Sequence, residues 1–193
     1  MIAQIKGRLV EKTPTYLIID CGGVGYEVNI SLNTYSALDN DELCFLHTHF
    51  IVREDAQLLY GFKEKSEKEL FRLLISVSGV GASTAMMILS SLSPKETKQA
   101  ILGSDVNTLK SVKGIGAKSA ERIIIDLKDK IGKVEGVDSI SLVQNNTIKD
   151  EALSALVMLG FAKNSAEKAL TKIMASEDNL SVEQLIKQTL KNL

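Results

Sequence analysis

Two groups of residues in this chain have types and spacing suited to a charged ligand. The first is a pair of adjacent carboxylates, Glu54 and Asp55, inside FIVREDAQLLYGF, Phe50 to Phe62. Apolar runs flank the pair, so the stretch predicts a strand, a charged tip and a second strand. The second is a repeat: GVGASTAMMIL, Gly79–Leu89, and GIGAKSAERII, Gly114–Ile124, match at an offset of 35 residues. A Gly-apolar-Gly turn that opens a helix presents consecutive backbone N–H groups at the helix start, where an anionic oxygen is favoured. Val80 or Ile115, between the glycines, would anchor each turn in a core. Lys118 falls on the first turn after the second hairpin and Arg122 one turn further; Ser83 stands where Lys118 does in the other copy.

Each chemistry has a plainer counterpart. A single Gly-apolar-Gly turn is equally a helix–helix connection with glycines for packing, and it is the duplication that favours phosphate binding. GIGAKS is not a nucleotide-binding loop, because Ala117 separates Gly116 from Lys118 and a helical pattern, not a strand, precedes it. Intrinsic ATP hydrolysis is therefore not expected. Paired carboxylates also serve metal-dependent phosphodiester cleavage. Adjacent acids on a strand connection point in different directions, however, and no third acid lies near in sequence. His47 and His49 form an HxH on one face of a predicted strand, but a metal site needs further ligands and none is apparent. No cofactor or metal is expected. Cys21 and Cys44 do not form a disulfide framework and are expected to be reduced.

The elements that must position these residues divide the chain by period. Residues 1–63 alternate and turn as five strands, with Gly22, Gly23 and Gly25 as turn and bulge residues, which suits a Greek-key barrel of the OB type. From Lys63 the period becomes helical, with Leu70, Phe71, Leu74 and Val77 on one face. Ser93-Pro94 and Asp105 read as helix starts, so 64–132 is expected to be all helix and short turns. Residues 133–146 lack a period and read as a linker. Residues 147–193 split into three amphipathic helices, with breaks at Gly160–Asn164 and Ser176–Leu180. The expected class is thus α+β and multidomain.

Charge separates the same sections. The chain carries a net charge of −1, which argues against a uniformly basic nucleic-acid binder. Residues 1–63 hold 5 Lys/Arg against 8 Asp/Glu, 64–131 hold 11 against 8, and 132–193 hold 7 against 8. Only the section with the repeated hairpins is basic. Such a pair reads backbone and not bases, so duplex DNA bound without sequence choice is the expected ligand. The main rival is a metal-dependent nuclease at Glu54 and Asp55, and a third reading is a single-strand-binding OB protein, which the few cations on the barrel strands speak against. No segment has the length of a membrane span or the layout of a signal peptide, so a cytoplasmic protein is expected.

The order of motifs closely resembles the RuvA family over essentially the whole chain: a barrel ending in THFIVREDAQLLYGF, then SGVG, then KGIGAKSAERIIIDLKDK, then a linker and a helical tail with LVMLGF. RuvA proteins are the Holliday-junction-binding subunits of the bacterial branch-migration machine, acting in recombination and repair of DNA damage. The resemblance implies an OB-fold domain I, a tandem helix-hairpin-helix domain II and a UBA-like three-helix domain III. It implies a non-catalytic homotetramer, sometimes paired into an octamer, that holds a four-way junction open. It also implies that domain III recruits and stimulates the hexameric ATPase RuvB, and that the resolvase RuvC can join.

By motif, Gly79, Gly81, Ala82 and Ser83 correspond to the first phosphate-binding hairpin, and Gly114, Gly116, Ala117, Lys118 and Arg122 to the second. Glu54 and Asp55 correspond to the family's acidic pin. Four copies would converge at the crossover and repel phosphates there. Leu156 and Leu159 lie where the family presents an apolar surface to the motor, though they equally suit the core of the three-helix module. Ala82-Ser83 replaces the Pro-Lys frequent in relatives, which predicts fewer charge contacts at the first hairpin.

Overall fold

A computed structural model describes residues 1–39, 42–135, 143–174 and 180–192. Alternating apolar residues make five strands: β1 (Gln4–Lys12), β2 (Tyr16–Asp20), β3 (Gly25–Ile30), β4 (Leu43–Val52) and β5 (Gln57–Phe62). They close a barrel in the order β1-β2-β3-β5-β4. Every pairing is antiparallel except β3 with β5, which is parallel. The inward residues, among them Leu17, Ile19, Val28 and Leu46, are fully buried. The glycines after Asp20 do form a turn: Gly22 and Gly23 have φ of 69° and 93°, and the Gly23 N–H donates to Asp20 Oδ1 at 2.7 Å.

One element was not foreseen. Between β3 and β4 lies a short helix, α1 (Leu32–Ala37), whose start is capped by the Ser31 hydroxyl accepting from the Thr34 N–H at 3.0 Å. At six residues it is too short to leave a periodic signature.

The change from strand to helix falls between Phe62 and Lys65. Five helices follow: α2 (Lys65–Ile75), α3 (Ala82–Ser91), α4 (Pro94–Leu102), α5 (Val106–Lys110) and α6 (Ala117–Glu135). The expected helix starts are present. Ser93 and Glu96 complete a reciprocal capping box that spans Pro94, and Asp105 accepts from the N–H groups of Asn107 and Thr108. The helical core gathers Leu70, Phe71, Leu74, Ile88, Leu89 and Ile123, all at most 1% exposed.

Barrel and helices share that core. Tyr60 and Phe62 of β5 meet Phe71 with ring centroids 5.1 and 5.0 Å apart. Burying a side chain such as Phe71 contributes on the order of 1.5–3 kcal/mol. Residues Met1–Val134 accordingly form one compact unit, and Glu135–Leu193 a second.

The second unit holds α7 (Val143–Met158), α8 (Lys163–Met174) and α9 (Val182–Asn192) around Ala152, Leu156, Ala166, Leu170 and Leu185. The expected linker is shorter than its sequence suggested, because α6 runs to Glu135 and α7 begins at Val143. Residues 136–142 of that linker, and most of the expected break at Ser176–Leu180, lie outside the described residues.

Candidate nucleic-acid interface

The two hairpins have the same backbone build. Gly79 and Gly114, the first glycine of each, sit at φ of 88° and 89°, a left-handed conformation that side chains resist. Val80 and Ile115 tuck inward, at 6% and 7% exposure. The N–H of Val80 donates to the Val77 carbonyl at 3.0 Å and that of Ile115 to Val112 at 3.1 Å. The second glycine starts the helix in each copy: Gly81 accepts from the Ala85 N–H and Gly116 from Ala120, both at 3.0 Å. No side chain caps the start of α3, which leaves its first N–H groups available.

Gly81 and Gly116 adopt ordinary φ, and a Cβ built on either would meet nothing within 4 Å. Neither the backbone nor the protein's own packing therefore demands glycine there. Open approach to a helix N-terminus is what a backbone phosphate needs.

The fold brings the copies together. Ser78 and Gly79 of the first hairpin and Lys118 and Arg122 of α6 line one groove of about 450 Å³. The Arg122 Nη1 donates to the Ser78 carbonyl at 3.3 Å, tying one hairpin to the other. Sequence reasoning missed this tie; it treated Arg122 solely as a phosphate ligand. The side chain stays exposed, and a guanidinium has further N–H donors to offer. Lys118 and Ser83 are exposed at equivalent positions, each the second residue of its helix. Ala117 is exposed, whereas Ala82 is 4% exposed with its methyl in the core, so only its backbone N–H can serve a ligand. Glu121 and Asp126 also line the groove, so its charge is mixed.

Glu54 and Asp55 lie at the tip of the β4–β5 hairpin, beyond the last pair Val52↔Gln57. The turn is closed by the Arg53 N–H donating to the Ala56 carbonyl at 2.8 Å. Both acids are exposed, and neither forms an ion pair among the described residues. Their hairpin is rooted by Leu59 in the barrel core and Tyr60 in the helical core.

His47 packs edge-on against Phe45 at 5.0 Å and His49 against Phe71 at 5.5 Å. Burial, with help from Arg72 and Lys68, pushes His49 below the usual histidine range. Among the described residues no group of three His, Cys, Asp or Glu is placed to hold a metal ion. Cys44 is buried and Cys21 partly so; both are free thiols.

Family models match in the same order as the motifs. Residues 1–61 match the RuvA N terminal domain, 71–129 the SAM-like helix-hairpin-helix tandem, and 147–193 the RuvA C-terminal domain. A curated protein of Flavobacterium psychrophilum named Holliday junction branch migration complex subunit RuvA is 57% identical over 193 residues, covering the whole of both chains. Proteins of the same name from Christiangramia forsetii and Bacteroides fragilis are 54% and 49% identical, again over the full length of each. The chain belongs to the RuvA family. The closed barrel is accordingly the OB-fold of RuvA domain I, and the paired hairpins are its helix-hairpin-helix tandem.

In the RuvA C-terminal domain one expectation must be corrected. Leu156 is fully buried among Ala152, Ala166, Leu170 and Leu185, because its position on α7 faces the other two helices. It cannot offer a surface to a partner. Leu159 can, at 61% exposure, and it is accompanied by Val157 at 43% and Met158 at 86%. The exposed run sits just before Gly160, whose φ of 98° ends the helix. No helix of the described residues is long and apolar enough to cross a membrane.

Proposed function

We propose that this chain is the non-catalytic DNA-binding subunit that recognises four-way junctions, holds them open for branch migration and recruits the RuvB ATPase. The observation that carries this reading is the meeting of the first glycine hairpin with Lys118 and Arg122 of α6, the helix that the second hairpin opens, on one groove. Two anion sites held at a fixed separation suit successive phosphates of a duplex arm, without reference to base identity. Full-length similarity to branch-migration subunits supports the junction as substrate.

In this reading a homotetramer presents four tandem hairpin sections to the four arms, and the Glu54–Asp55 tips meet at the crossover. There the carboxylates repel phosphates and part the strands. The exposed Val157–Leu159 run of the second unit contacts the motor, which supplies ATP hydrolysis, and RuvC joins when the junction is cut.

The test is a mobility shift of the purified full-length chain on a four-way junction and on linear duplex of equal length. Preference for the junction at moderate salt is expected; equal affinity would defeat the junction assignment.

A further inference from the structure

The hairpins and the acidic tip sit on different parts of the first unit, so their separation depends on what joins barrel to helices. Beside the aromatic contacts of Tyr60 and Phe62 with Phe71, that joint has a polar part that runs through α1. Glu67, on α2, is a carboxylate only 3% exposed that forms no ion pair among the described residues. Its Oε1 accepts from the Ser31 hydroxyl, and its Oε2 accepts from the Thr34 hydroxyl at 2.7 Å.

The direction of these bonds is set by what else the hydroxyls do. Ser31 Oγ already accepts from the Thr34 N–H at 3.0 Å, and Thr34 Oγ1 from the Lys63 N–H at 3.1 Å. Each hydroxyl proton is thereby free to be donated to Glu67. The Lys63 bond lies at the passage from β5 into α2, so the network gathers α1, that passage and α2 around one carboxylate. On the other side of α1, the Asn33 Nδ2 donates to the Leu89 carbonyl and, at 2.9 Å, to the Leu92 carbonyl at the end of α3. That helix begins at the first hairpin.

A buried carboxylate outside an ion pair is a costly way to hold two elements together; apolar packing would do so with less desolvation. What it adds is direction, because two donors on two oxygens fix an angle that apolar contact leaves loose.

We infer that Glu67, with Ser31, Thr34 and Asn33, is a positioning joint that sets the distance between the acidic tip and the phosphate-binding hairpins, and hence how far the strands at a junction are parted. This rests on the proposed junction function. The joint touches no DNA; it acts through the two groups that do.

Glu67→Gln tests it at near-constant volume, since the amide presents N–H to one of two hydroxyls that are themselves donors. Two readouts separate orientation from folding. In the first, spin labels on V24C of the barrel and D129C of α6, in a C21S background, report a distance distribution without DNA; Glu67→Gln should broaden it. In the second, a fluorescent base analogue at the crossover reports strand opening, while a linear duplex reports hairpin affinity. Opening and junction-over-duplex preference should drop by about tenfold, the scale of one hydrogen bond to a charged group, with duplex affinity unchanged. Asn33→Ala should move both readouts the same way, and Thr34→Val serves if Glu67→Gln does not fold.

An unbroadened distribution with wild-type opening, even alongside a lower melting temperature, would overturn the joint and leave the junction function standing. Absence of junction preference in the wild-type chain would overturn both together.

Discussion

At the scale of single residues, the two glycines of one hairpin have different physical reasons. Gly114 is at φ 89°, so Gly114→Ala strains the backbone and should cost about 1 kcal/mol of stability in a denaturant melt. Gly116 has ordinary φ and open space around its Cα. Gly116→Ala should therefore leave the melt unchanged and still weaken duplex binding, because the methyl occupies the phosphate's approach; unchanged binding in a filter assay would remove the hairpin from the interface. The acids at the tip predict the opposite sign. The double variant Glu54→Gln, Asp55→Asn should hold junction DNA as tightly or more tightly while opening the crossover less. Weaker binding would count against a repulsive pin.

Glu67 adds a dependence on pH. Burial raises its carboxyl above the ordinary range, more than the Ser31 and Thr34 bonds lower it. Between the unfolded value and the raised one, the native state binds more protons than the unfolded state, so stability falls as pH rises through that window. The difference in melting free energy between wild type and Glu67→Gln should carry this slope; a flat difference would mean that the carboxyl titrates alike in both states.

At the scale of elements, the exposed end of α7 separates surface from core within four residues. Leu156→Ala should destabilise the second unit by about 2–5 kcal/mol through the cavity it leaves. Leu159→Ala should leave thermal stability intact and reduce stimulation of the motor ATPase. The reverse pattern would return both leucines to a structural role.

Which elements could be read from the chain follows from the same physics. Alternation disclosed the five strands, and the Gly-apolar-Gly repeat disclosed both hairpins, because each depends on local residue types. The short α1 left no periodic trace. Glu67 was invisible as a joint, since within KEKSEKE it looks like any solvated acid and its hydroxyl partners are more than thirty residues away. Leu156 and Leu159 share a motif, and only the packing of three helices divides them into core and surface.

At the scale of the whole molecule, the division into units Met1–Val134 and Glu135–Leu193 suggests a division of labour. Removal of residues 147–193 should preserve junction binding and abolish motor stimulation. A collapse of junction affinity in that truncation would show that the two units are not separable in function.

The closing seam of the barrel has a consequence for how the protein comes into being. Strand β1 pairs with β4 from Gln4↔His47 to Arg8↔Leu43, contacts far apart along the chain, and such closures form slowly compared with local helical turns. Strand β5 then exposes Tyr60 and Phe62 until Phe71 arrives to cover them. During synthesis the barrel therefore cannot be completed on its own timetable: its last aromatic surface waits for a helix encoded after it. A nascent chain halted between Phe62 and Phe71 should be captured by chaperones, and one extended through α2 released.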